Sequence, residues 1–382
     1  MRVVIFTNGR FHVLDLAREL TACGHDVTFI SCLPPGRVEK FGFPGNRHRS
    51  HFIGMLPLLL MKRYAGSLVV REWATRQSMI LFDQRVARSV PPCDVCIGMA
   101  GMSLQGGQAA QKRFKSLYIV ERGSRHILSQ KEILEAIPGW PPDRPGVPAF
   151  DVAQNLAEYE AADIIAVPAT HVVESFLEKG IARSKLFCNP YGVDLEMFPP
   201  TRKDPLAPST VLYVGAWSMQ KGVDLLLAAC KMLKNVRLLH VGSKGDGPPF
   251  PNEPFFRHVD PVPQWELKGF YAMADVFVQP SRQEGLSLVQ AQSLSCGLPL
   301  VCTDRTGGAD LREFLPDPSM VTVVPHDDAP ALAQGITTAL ERARGITGLR
   351  EGLGKSRELL SWKAYGSRYS NFLERRVRTK QV

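Results

Sequence analysis

The chain has 382 residues, 45% hydrophobic and 22% charged, with a formal net charge of +9, the make-up of a folded globular protein rather than a disordered one. That length exceeds one ordinary hydrophobic core and predicts two domains. No run reaches the roughly 18 apolar residues of a membrane-spanning helix; the most apolar stretch, 52–61 (FIGMLPLLLM), is short, contains Pro57 and runs into Lys62 and Arg63.

Residues 2–7 (RVVIFT) predict a strand at once, leaving no room for a signal peptide. The turn Thr7-Asn8-Gly9-Arg10-Phe11-His12 leads into a helix over 11–23 that stops at Gly24, and 26–31 is the next strand. Between Arg47 and Arg125 lie thirteen Lys/Arg against four acids, an excess equal to the net charge of the whole chain. Next to the apolar 52–61 run, this basic half suits either an anionic membrane surface or a solvated face over a buried helix.

Residues 93–97 and 116–120 predict further strands. The eight cysteines are scattered in apolar settings, which fits a reducing cytoplasm. Cys93 and Cys96 form a single CxxC without a second one, so buried thiols are expected there rather than zinc. The stretch 138–148 (PGWPPDRPGVP) is too proline-rich for regular structure and predicts a long loop. A helix over 152–162 precedes a strand over 163–167.

A proline-rich charged linker, 199–208, marks the join to a second half built the same way. There, 210–214, 237–241, 276–279, 298–302 and 320–324 predict strands, and 223–233, 267–273 and 286–295 predict helices. Gly297 stops the last of these helices, and Pro299 lies where a strand start tolerates it. An amphipathic helix over 361–377 ends in a basic tail of Arg375, Arg376, Arg378 and Lys380. Strands alternating with helices argue for two doubly wound parallel sheets.

In such sheets, ligands bind at the carboxyl ends of the strands. In the first turn only Gly9 permits very close backbone approach, and no GxGxxG occurs in the right context, which weakens a nicotinamide dehydrogenase. The turn after 210–214, Gly215-Ala-Trp-Ser-Met-Gln-Lys-Gly, offers Lys221 as a point charge for a diphosphate. After 276–279, Glu284 lies at the mouth of a helix, where free amides and the helix dipole favour an anion. Two glycines, Gly307 and Gly308, follow the 298–302 strand. Glu121-Arg-Gly-Ser-Arg-His126 follows 116–120, and its arginines bias His126 toward the neutral form. No HExxH or DxD triplet is present, so no catalytic metal is expected.

Four motifs in order then resemble one family. They are 159–168 (YEAADIIAVP), 189–194 (NPYGVD) with Phe198, 214–222 (VGAWSMQKG), and 274–299 (ADVFVQPSRQEGLSLVQAQSLSCGLP). Together they resemble the retaining GT-B glycosyltransferases, the large family that includes sucrose-phosphate synthases and bacterial polysaccharide mannosyl- and glucosyltransferases. The resemblance implies an α/β fold of GT-B architecture, two Rossmann-like domains facing across a cleft. It implies an acceptor-side domain over 1–188, a nucleotide-sugar domain over 189–360 and a C-terminal helix over 361–382 crossing back to the first. The donor would be a UDP- or GDP-sugar, with no separate cofactor. Lys221 would neutralise its diphosphate, with Gly215 in the same turn. Glu284 would contact the sugar hydroxyls, and the amides around Gly285, Leu286 and Ser287 would add phosphate contacts. Gly9 would face the phosphates from the other domain, and His126 would touch the sugar.

Two departures from the family pattern stand out. Ala216 stands where the family commonly has an arginine, for which Arg282 or Arg305 could substitute. Gln292 stands where a second acid holds the ribose; glutamine keeps an acceptor and adds donors.

The resemblance implies transfer with retention of anomeric configuration and without a protein nucleophile, to a glycan or lipid-linked acceptor. Expected partners are the donor, that acceptor and an anionic inner membrane face, with no nucleic acid. The alternatives are a degenerate GT-B protein that binds a nucleotide or partner without turnover, and a nucleotide-sugar epimerase.

Overall fold

The computed structural model describes residues 1–141, 143–202, 204, 206–345 and 354–380. Pro142 of the predicted loop, Lys203 and Pro205 of the predicted linker, and the side chain of Lys380 in the basic tail lie outside the described residues.

Among these residues the chain forms two wholly parallel sheets. The first contains β1 (Arg2–Thr7), β2 (Asp26–Ser31), β3 (His48–Ser50), β4 (Val95–Met99), β5 (Leu117–Glu121), β6 (Ile164–Val167) and β7 (Leu186–Cys188), in the order 3-2-1-4-5-6-7. The second contains β8 (Thr210–Val214), β9 (Arg237–Val241), β10 (Phe256–Val259), β11 (Val276–Gln279), β12 (Leu300–Thr303) and β13 (Val321–Val324), in the order 10-9-8-11-12-13. Every residue of β4, β5, β8 and β11 is buried. Parallel strands are covered by helices on both faces, so their sequences read as unbroken apolar runs.

The register places Ile5 between Phe29 and Ile97 in the first sheet, and Leu212 between Leu239 and Phe277 in the second. In both sheets the order reverses beside the first strand, between β1 and β4 and between β8 and β11. Such a reversal opens a crevice at the carboxyl ends. The turns carrying Gly9 and Gly215–Lys221 therefore lie at the two crevices.

The C-terminal helix Trp362–Lys380 returns to the first domain and packs along His12–Ala22. A Cβ on Gly366 would come within 2.2 Å of Glu19 Cβ, so only glycine allows the helices this close. His25 Nε2 and Ser370 Oγ are 2.7 Å apart, and Tyr365, Tyr369 and Leu373 are fully buried. The two passages of chain between the domains are tied together. Val193 N–H donates to Leu360 O (2.8 Å), and Arg368 donates to Asn189 Oδ1 and Pro190 O (2.8 Å each).

Several boundaries differ from expectation. β5 runs through Glu121, which becomes a buried strand end rather than part of the following loop. The helix after Glu284 starts at Leu288, with Ser287 in extended conformation ahead of it. Leu286 and Ser287 are thus loop residues, and their amides stay outside the helix. The 52–61 stretch lies in a helix, Phe52–Tyr64, but only Met55 is buried; Ile53 and Tyr64 are 80% and 70% exposed. The buried-helix expectation is therefore wrong. No helix among the described residues is long and apolar enough to cross a membrane.

Candidate functional site

The two crevices face each other, and the loops at their mouths touch. Lys221 closes a 3-10 turn, Met219–Lys221, and Gly222 follows in the left-handed region (φ 68°) with Pro280 O against it. This packing turns Lys221 toward the loop after β11, where its ammonium pairs directly with Glu284 Oε2. Both side chains keep about a fifth of their surface exposed (23% and 20%). Two residues picked out separately in the sequence, 63 positions apart, therefore form one ion pair.

The neighbouring loop bridges the domains. Gln220 donates to Gln283 Oε1 (2.6 Å), and Gln283 donates to Ser124 Oγ of the first domain. A Cβ on Gly285 would lie 1.9 Å from Gly123 O, so glycine is required for this approach. The amides of Gly285, Leu286 and Ser287 meet no acceptor among the described residues. They sit at the start of helix Leu288–Ser295, where the helix dipole adds positive potential. The site thus joins one cation, one carboxylate and a set of free amides at a domain interface. That combination suits a ligand carrying both phosphate and hydroxyl groups.

Residues 208–342 match the glycosyl transferases group 1 family. The second domain is a group 1 glycosyltransferase domain. The whole chain superposes on sucrose-phosphate synthase from Thermosynechococcus elongatus, covering 98% of each chain with a TM-score of 0.64 at 17% identity. It also superposes on HepE of Anabaena in complex with UDP and glucose, covering 98% and 99% with a TM-score of 0.65 at 11% identity. The fold is GT-B, as the four motifs implied. In sequence, 257 residues are 28% identical to D-inositol 3-phosphate glycosyltransferase of Streptosporangium roseum, over 60% of this chain and 58% of that protein. The chain spans about half the length of the curated relatives it matches.

Within the group 1 domain, Arg282 is not the free cation expected. Its guanidinium is buried, with bonds to Asp224 (2.7 Å twice), Asp327 Oδ1 (2.5 Å) and Met219 O (2.7 Å). Burial works against its charge, but Asp224 and Asp327 outweigh that and raise its pKa further. Two carboxylates already neutralise it, so it holds the Lys221 turn and does not replace the arginine lost at Ala216. Arg305, half-buried, has its pKa lowered by burial and then by Arg125 across the interface. Gln292 is buried and accepts from Tyr271 Oη (3.0 Å), which turns its carbonyl oxygen into the core.

His126 departs from expectation too. It is 2% exposed, boxed by Tyr159 and Phe176 with ring centroids 5.1 and 5.0 Å away. Its Nδ1 accepts from Leu128 N–H (3.3 Å) and caps the helix that follows. Burial, then Arg122 and Lys179, lowers its pKa to about 4, so it is a neutral structural residue rather than a sugar contact. Gly9 stays half-exposed, with only the Phe11 ring near the place of a Cβ, so the turn is open on that side. Gly215 has φ 156°, and its carbonyl accepts from His240 Nε2 (3.0 Å).

A group absent from the sequence expectations lines the opposite wall. His12 Nε2 lies 3.0 Å from Glu121 Oε2, and the Tyr191 ring packs on His12 with centroids 4.2 Å apart and planes tilted by 35°. Tyr369, from the returning C-terminal helix, donates to Glu121 Oε1 (2.6 Å). Tyr191 touches the Gly123 loop, which in turn meets Gly285. Sequence spacing carries no sign of this cluster, since its members are 109 and 248 residues apart.

Proposed function

We propose that the protein transfers a sugar from a UDP- or GDP-sugar to a glycan or lipid-linked acceptor, with retention of anomeric configuration. The observation that carries this reading is the Lys221–Glu284 pair beside the free amides of Gly285, Leu286 and Ser287. Lys221 and these amides would take the diphosphate, and Glu284 the hydroxyls of the sugar. No protein nucleophile is assigned. The donor's own phosphate oxygen would accept the acceptor's proton on the face of attack. The chain's part would be positioning and stabilisation of the departing diphosphate. Contact between the domains at Gln283 and Gly285 would exclude water and limit donor hydrolysis. No metal is given a role, because the sequence lacks a DxD triplet.

A screen of UDP- and GDP-sugars for donor hydrolysis tests the reading. Release of UDP or GDP from at least one donor is expected. Binding of UDP or GDP in a calorimeter without hydrolysis or transfer would favour the non-catalytic alternative. That alternative draws on Ala216, on Gln292 and on the commitment of Arg282 to two carboxylates.

An amphiphilic acceptor is favoured by the first domain. A groove of about 760 Å³ runs between helix Leu68–Ser89 and Phe150, lined by Trp73, Met79 and Phe150 with Lys62, Arg71 and Arg76; two acids, Glu72 and Asp151, also line it. A second cavity shares Met79 and Phe150 and reaches Gly101, just beyond β4 at the carboxyl edge of the sheet. Apolar walls beside cations suit an apolar tail with an anionic head, and exposed Val69 is part of the same lining. We therefore expect salt-sensitive binding to liposomes containing anionic lipid and none to neutral liposomes in a flotation assay. Indifference to both would remove the membrane surface from the proposal.

A further inference from the structure

His12 starts a helix at the carboxyl edge of β1, and its side chain is 8% exposed. Glu121 closes β5 beside it and is itself buried. Both carboxylate oxygens of Glu121 are engaged, Oε1 by Tyr369 Oη at 2.6 Å and Oε2 by His12 Nε2 at 3.0 Å. Carboxylate oxygens accept hydrogen bonds, so this contact puts a proton on Nε2, and in the neutral ring it leaves the lone pair on Nδ1. Nδ1 meets no partner among the described residues and keeps access to solvent. Burial, then the charge of Glu121, raises the pKa of Tyr369 well above its ordinary value, so Tyr369 remains a donor.

The surroundings indicate which ligand this lone pair would meet. Tyr191 covers one face of the His12 ring, and its own hydroxyl is buried without a partner among the described residues, close to Gly123. Burial, and after it Glu121, raises the pKa of Tyr191; Glu284 across the cleft acts in the same direction. Arg122, the nearby cation, is bound to Arg125 O (3.0 Å), Gln130 Oε1 (2.5 Å) and Asn155 Oδ1 (3.4 Å). The cleft between these walls thus offers two acceptors, His12 Nδ1 and Glu284. A ligand rich in O–H donors matches that set.

We propose that His12 Nδ1 binds a hydroxyl of the acceptor sugar, with Glu121 and Tyr369 as positioning residues that hold the ring in its Nε2–H tautomer. The proposal rests on the sugar-transfer reading of this cleft. It makes the returning C-terminal helix a working part of the acceptor site, through Tyr369.

The test combines 15N NMR of histidine-labelled full-length protein with kinetics on UDP-glucose or GDP-mannose and n-octyl glycoside acceptors. Wild-type His12 should show the Nε2–H tautomer, and its Nδ1 resonance should move upfield when acceptor is added with UDP or GDP. His12→Gln keeps a donor for Glu121 but has no acceptor at Nδ1. It should raise the acceptor KM by about tenfold more than the donor KM, the worth of roughly one hydrogen bond. His12→Asn, which puts an amide oxygen near the place of Nδ1, should recover part of that loss. Tyr369→Phe should mix the tautomers and raise the acceptor KM by more than the donor KM. An Nδ1–H tautomer in the wild type, or equal changes in both KM values, would overturn the proposal. If the wild type processes no nucleotide sugar, the transfer reading falls separately. The tautomer and the response of Nδ1 to added glycoside then decide the hydroxyl site by themselves.

Discussion

Lys221→Ala is expected to abolish most sugar transfer while leaving the protein folded, and Glu284→Ala likewise. At an effective dielectric near 20, a lysine about 4 Å from a phosphate oxygen gains roughly 4 kcal/mol of Coulomb energy before desolvation. Only the part that grows as the diphosphate departs accelerates the reaction. Removing one preorganised charge-stabilising donor commonly costs about a hundredfold to a thousandfold in kcat, and a loss of that order is expected for Lys221→Ala. The pair is partly exposed, so the partner left behind by either substitution can be solvated, and the fold should stand. The two losses should not add, because each residue orients the other; the double variant should resemble the worse single one. Single-turnover kinetics beside circular dichroism check this, and near-wild-type rates for either variant would remove both residues from the site.

The comparison of sequence with structure divides along the distance of the contacts. Strands such as Arg2–Thr7, Thr210–Val214 and Val276–Gln279 were legible because a buried parallel strand is a local apolar run bounded by turn residues. Lys221 and Glu284 were legible because each follows a strand at a glycine-bearing turn, although their pairing was not. Helix Leu68–Ser89 was not foreseen. Val69, Val70, Trp73 and Leu81 all keep exposed surface, so its apolar residues do not trace one buried stripe. His126 misled because its sequence neighbours are arginines, while the groups that enclose it, Tyr159 and Phe176, come from later helices. The role of His12 is illegible for the complementary reason: Glu121 and Tyr369 reach it only through the sheet and the returning helix. Gln292 was placed at the ribose by resemblance, but Tyr271 holds it in the core, a contact set by the preceding helix Leu267–Met273.

Arg282→Met is expected to destabilise the second domain rather than weaken donor binding directly. Removing one partner of a buried ion pair typically costs about 3–5 kcal/mol. Here Asp224 and Asp327 are partly exposed (29% and 47%) and can recover some hydration, so the lower end, about 3 kcal/mol, is expected. Arg282→Lys should not restore the loss, because a single ammonium cannot reproduce the two-pronged bond to Asp224 or reach Met219 O at the same time. The consequence for activity follows from position: Met219 begins the turn that ends at Lys221, so loosening it lets the ammonium drift from Glu284. Denaturant unfolding of the single variants and of Arg282→Met combined with Asp224→Asn checks the account. The second substitution removes a stranded carboxylate and should return part of the lost stability. A variant of full stability whose donor KM alone rises would instead make Arg282 a diphosphate ligand. Ala216 would then be compensated in the way the sequence had suggested, and the two carboxylates would have to release Arg282 when the donor binds.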